Sequence, residues 1–126
     1  MSPIERALHA LAGIVIPVYG SGEGAQGAQI PVYRPGEAIG PCKQVCLVVY
    51  DGGLSPRTRI TAEWLVGVSA YVPLGRHVEL EPIIREAARR LTNVGLKPRG
   101  SARPETIDEG FRAHVRTMEF TALCAL

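Results

Sequence analysis

From Ile60 to Val72 the chain alternates. Ile60, Ala62, Trp64, Val66, Val68, Ala70 and Val72 are apolar, while Thr61, Glu63, Ser69 and Tyr71 between them carry polar groups. Side chains point to opposite faces at successive positions of a strand, so this pattern demands a long β-strand with one face in a core. Trp64 is in phase with that face and reads as packing. Gly67 marks a bulge or a close approach of another chain segment. Just upstream, Val45–Tyr50 is apolar at every position, as in a strand covered on both sides. Asp51-Gly52-Gly53 then reads as a turn, with Ser55-Pro56 continuing the loop.

Two helices accompany these strands. Ser2-Pro3-Ile4-Glu5 has an N-cap hydroxyl, a proline at the first helical position and a glutamate placed to complete a capping box. Ile4, Ala7, Leu8, Leu11 and Ala12 share one face, and Gly13 ends the helix. The second helix is expected to start near Glu81, with Pro82 at its first position, and to end near Asn93 or Gly95. Ile83, Ile84, Ala87, Ala88 and Leu91 form its apolar stripe; Arg85, Glu86, Arg89 and Arg90 its solvated face. Helix, strand, long loop, two strands, helix, loop and strand give an α+β fold. We expect one domain over residues 1–126, a mostly antiparallel sheet with both helices packed on it. Its expected core includes Val48, Trp64, Val66, Ile84 and Leu91.

"GIVIPVYG" reads as a short strand that Pro17 confines to an edge. The Gly/Ala/Pro-rich stretch at about 20–42 reads as a long flexible loop. Within it "IPVYRPGEAI" nearly repeats the earlier "IPVYGSGEGA". Chance in a biased segment explains that repeat; a hairpin with two similar edge arms is the alternative. Ser21, Gly22, Glu23, Gly24, Ala25 and Gln26 are too small and polar to order themselves, so they are expected to order only against a partner.

The closing strand, "FRAHVRTMEFTAL", changes phase. Phe111, Ala113 and Val115 are apolar on one face while Arg112, His114 and Arg116 hold the other. Then Met118, Phe120 and Ala122 make the formerly basic face apolar, and Glu119 takes the other. A β-bulge near Thr117 would keep both halves in one core. Alternatively, one half faces a neighbouring subunit. On that second reading Arg112, His114, Arg116, Met118 and Phe120 belong to a subunit contact.

Little in the chain proposes chemistry. "GSGEGA" formally fits a dinucleotide loop, yet no helix start follows to meet a pyrophosphate. His9, His77 and His114 have no polariser at a suggestive spacing and read as surface or interface residues. Cys42, Cys46 and Cys124 are odd in number, which argues against a disulfide framework and for reduced thiols; no histidine lies near the first two to complete a metal site. Arg85, Arg89, Arg90, Lys97, Arg99, Arg103, Arg112 and Arg116 cluster late in the chain. They are interleaved with Glu81, Glu86, Glu105, Asp108 and Glu109, and the formal net charge is only +2. A dedicated nucleic-acid reader would show an uninterrupted basic stripe. No stretch approaches the ~20 apolar residues of a membrane helix, and no basic leader precedes an apolar run. No enzyme activity, cofactor or metal is expected.

The order of elements resembles the tail terminator, or tail completion, proteins of long-tailed bacteriophages, the family of lambda's minor tail protein U. The resemblance rests on the opening helix "PIERALHALAG", the strand "IVIPVYG", the long loop ending "GPC", "KQVCLVVYDGG", "RITAEWLVGVSAYV", a helix and the closing "FRAHVRTMEFTAL". It covers nearly the whole chain, apart from the Gly-rich loop. It implies a structural virion protein of the tail or neck, assembled in the host cytoplasm as a cyclic homo-oligomer, a hexamer in that family. Such a ring caps the tail tube protein, stops its polymerisation and presents a face to the head–tail connector protein. DNA would pass through the ring without sequence-specific contact. Two other readings stay open: a head-closure or adaptor protein of the same neck, and a small host ligand-binding domain, enzyme or nucleic-acid-binding protein.

Overall fold

A computed structural model describes residues 2–15, 29–37, 41–100 and 104–125. Helix α1 spans Pro3–Leu11 and α2 spans Leu80–Asn93, one residue earlier than its sequence suggests. The strands are β1 (Val32–Tyr33), β2 (Cys46–Pro56), β3 (Thr61–Pro73), β4 (Lys97–Pro98), β5 (Thr106–Asp108) and β6 (Ala113–Ala125). They form one sheet in the order β1-β2-β3-β6-β4, with β5 also paired to β6. Only β1–β2 is parallel. The α+β expectation holds.

Both helices cover one face of this sheet. Ser2 Oγ accepts from the Glu5 amide at 3.1 Å, capping α1 as the sequence suggests, and Ala7 and Leu11 turn inward. At the other end of α1, Arg90 of α2 donates to the carbonyls of Ala10 (3.3 Å) and Ala12 (3.1 Å). Arg90 therefore latches one helix to the other rather than facing solvent. Glu86 holds both Arg89 (2.6 Å) and Arg90 (3.1 Å), and the Arg89 hydrogen bond leads in pulling its carboxyl down to about 2. Val66, Val68, Ala70 and Phe120 of the sheet meet Ile83 and Leu91 of α2 in the core between the two layers, all almost wholly buried.

Of the expected core, Val66, Ile84 and Leu91 are buried as read, and two residues need correcting. Val48 is only half-buried. Leu47 and Val49 take the helix-facing side of β2, so alternation turns Val48 to the open face. Trp64 is in the expected phase but half-buried. It lies where the sheet runs out from under α1, and its Nε1 donates to Asp51 Oδ1 at 2.7 Å.

The β2–β3 connection also differs. Asp51-Gly52-Gly53 is a β-bulge inside β2, where the register to β3 shifts. Gly53 takes φ +88°, a conformation that suits glycine, and its amide donates to Asp51 Oδ1 at 2.8 Å. The reversal comes later, at residues 57–60. Thr58 Oγ1 accepts the Ile60 and Thr61 amides there, and Ile60 is 72% exposed instead of core. The result is an arm projecting past the helices, with Asp51–Pro56 exposed throughout. Gly67 is a close approach, not a bulge: a Cβ there would lie 1.9 Å from the ring of Tyr50, its cross-strand partner.

The segment read as a polar loop after α2 contains β4 and β5. Upstream, Val15 bridges Gln29 antiparallel and Ile14 O accepts from Ile30 N at 2.8 Å. That is the antiparallel pairing a hairpin would have, and the second "IPVY" carries β1. Residues Ser21–Gln26, expected to order against a partner, lie outside the described residues.

Candidate functional site

The phase change in β6 has a structural answer. β6 pairs with β3 without a break from Pro73–Ala113 to Thr61–Ala125, so there is no bulge at Thr117. Met118, Phe120 and Ala122 share the face of Val68, Val66 and Trp64, and lie in the helix-covered core, with Phe120 1% exposed. They cannot also face a neighbour. This corrects the reading of Met118 and Phe120 as a subunit contact.

Ala113 and Val115 are buried on the opposite face by a second, smaller cluster with Cys42, Tyr71 and Phe111. The Tyr71 and Phe111 rings meet edge-on, 5.1 Å between centroids. Cys46 faces Tyr71 across the strands. Burial, and then the neighbouring Cys42, push its thiol up to about 12, which makes it a poor nucleophile near neutral pH. One chain thus buries both faces of one strand, at different heights.

The basic residues of β6 sit where the helix layer ends. Arg116 is paired with Glu81 in the first turn of α2. His114 Nδ1 lies 2.9 Å from Glu105 Oε2, though not aligned as a hydrogen bond. Its Nε2 accepts the Gly75 amide at 3.4 Å, and its ring centroid is 5.4 Å from that of His77. His114 is therefore a largely covered, internally engaged side chain. Arg116 likewise ties β6 to α2. Arg112 is exposed, in the turn between β5 and β6, with φ +57°.

Two further concave regions lie among the described residues. The first is a cleft of about 390 Å³ on the open face of the sheet, floored by Val48, Tyr50, Ser69 and Tyr71. Ser69 Oγ and Thr117 Oγ1 are 2.9 Å apart and satisfy each other there. Among the described residues, no group of three or more His, Cys, Asp or Glu side chains is placed to hold a metal.

The second, about 540 Å³, runs along the outer edge of β6 beside β4. Among the described residues Arg6, Arg57 and Lys97 line it, with Glu63 the only carboxylate, and Thr121 and Leu123 lie along β6. Arg57 is paired with Glu63 at 3.0 Å; Arg6 and Lys97 pair with no described carboxylate. Leu123 is 72% exposed. β4 pairs only with Phe120 and Thr121, so among the described residues no strand covers that side of β6 further on. Glu119 O points to that side, accepting from Arg99 N at 2.8 Å. Backbone direction alternates along a strand, so Leu123 also turns its N–H and C=O outward there.

Sequence reading missed this edge. Leu123 looks like one more residue of a closing strand, and nothing local brings Arg6 and Lys97 together beside it. No protein-family model matches the chain, and no curated protein is significantly similar to it.

Proposed function

We propose that the protein is a non-enzymatic subunit of a bacteriophage tail terminator ring, which caps the finished tail tube and joins it to the head connector. The observation that carries this reading is the outer edge of β6 next to the projecting arm, which no described strand covers beyond Thr121. A strand edge with unpaired backbone groups is a template for another chain, and soluble proteins ordinarily shorten, charge or cover such edges. Here the edge continues past β4 with Leu123 exposed. The neighbouring arm adds Leu54 (49% exposed) and Ile60 (72% exposed). A ring subunit needs such surfaces, because a head-to-tail contact uses two different patches of each copy. The resemblance in element order supplies the phage assignment. In this reading the interface lies at the edge and arm, not at Met118 and Phe120.

Electron microscopy of the purified protein, alone and mixed with tail tubes that lack their end, tests it. Rings seated on one end of the tube are expected, with further tube growth stopped. Binding to the connector and not to the tube would instead make the protein an adaptor of the same neck. Monomers that bind neither would overturn the reading.

A further inference from the structure

We infer that the outer edge of β6 beyond Thr121 receives the acidic segment around β5 of a second copy of this chain. The inference rests on the ring reading, and names the two surfaces that would join its subunits.

Among the described residues the receiving surface carries Arg6, Arg57 and Lys97 against the one carboxylate of Glu63. Among the described residues no strand pairs with its outer edge beyond Thr121, and Leu123 stands exposed beside it. Among the described residues no aromatic side chain lines it, and aromatic stacking platforms mark single-stranded nucleic-acid binders. An extended acidic peptide with an apolar residue fits such a site, held by main-chain pairing along the edge and by charge at its sides.

The chain itself presents one. Glu105-Thr106-Ile107-Asp108-Glu109 contains β5, exposed at every position. Among the described residues β5 is paired only to β6. Ile107 is 58% exposed, and Glu109 pairs with no described cation. Both surfaces lie along the same side of β6, β5 beside Ala113–Val115 and the basic groove beyond Thr121. They are different patches with opposite charge, as a head-to-tail contact requires; a self-complementary dimer would need one patch to match itself. Each subunit would offer its acidic strand to one neighbour and its basic edge to the other.

Charge reversal tests this without touching the core, since Lys97 and Glu109 are both exposed. Light scattering coupled to gel filtration should show oligomers for the wild type. Lys97→Glu and Glu109→Lys should each weaken association roughly tenfold or more while circular dichroism and melting stay unchanged. An equimolar mixture of the two, or the double variant Lys97→Glu/Glu109→Lys, should regain oligomers, because every contact is again between opposite charges. Lys97→Met, which removes charge without repulsion, should weaken association less. Oligomers indifferent to both reversals, or a mixture that stays as weak as its parts, overturn the inference and leave the ring reading standing. A wild type that is monomeric at every concentration, alone and on tail tubes, overturns both.

Discussion

In the C-terminal half of β6, Met118, Phe120 and Ala122 pack beneath two helices; in its N-terminal half, Ala113 and Val115 pack on the opposite face against Cys42, Tyr71 and Phe111. The first cover is built from regular elements with long apolar stripes and buries most of the core. The second is a patch of loop and turn that closes over a few side chains. A sheet face therefore need not be wholly buried or wholly wet. The side chains can change allegiance along one unbroken strand, provided each stretch has its own cover. The basic residues then fall where the helix cover thins, and there Glu81 and Glu105 meet Arg116 and His114.

The largest test of this comparison removes one side chain from each cover. Phe120→Ala should cost about 3–5 kcal/mol in urea denaturation, because a fully buried ring leaves a cavity in a tightly packed region. Val115→Ala should cost only about 1–2 kcal/mol, for two methyl groups in a small cluster open to solvent at its rim. Equal costs would mean that the second cluster is as well packed as the first. A Met118→Ser/Phe120→Ser protein should fail to fold; if it folded as a stable monomer, those residues would not be core.

A middle-sized effect is expected on the open face. In Gly67→Ala the new methyl would fall 1.9 Å from Tyr50 Cζ, so the ring must swing away and lose its packing over the sheet. Roughly 1–2 kcal/mol is expected. The same glycine change in a Tyr50→Ala background should cost clearly less, and a double-mutant cycle reads the difference. No coupling would show that the ring does not rest on Gly67.

The smallest effect concerns the latch that holds the helix cover together. The Glu86 carboxyl is held down at about 2, first by its hydrogen bond to Arg89 and then by Arg90. A group whose pKa is lower folded than unfolded stabilises the fold above its unfolded value and loses that contribution as pH falls through the folded one. Glu86→Gln should therefore be less stable than wild type at neutral pH, by no more than about 1 kcal/mol for so solvent-facing a pair. The gap should close between about pH 4.5 and pH 2. A gap independent of pH would assign the effect to something other than charge.

Much of this molecule was legible before its structure. The cap at Ser2, the two apolar helix stripes, the long strand from Thr61 and the change of phase in β6 all follow from local chemistry and from the periods 3.6 and 2. Other features were hidden for definite reasons. Asp51-Gly52-Gly53 has the composition of a turn, and a bulge uses the same residues for the same local hydrogen bond. β4 and β5 are short and polar, so no apolar pattern marks them; they are strands only because β6 offers an edge to pair with. The basic groove joins Arg6, Arg57, Lys97 and Leu123 from four distant stretches of chain, which no spacing rule connects.

What the sequence alone determined, then, is the two helices, the long apolar strands and that β6 has two faces of changing character. It could not say what covers each face. Alternation reports that side chains differ from one position to the next, whereas burial depends on which other segment arrives above them. That was decided by the tertiary structure. Two helices lie over one end of one face and the Cys42–Phe111 patch over the other end of the opposite face, and no described strand covers the outer edge of the last residues of β6.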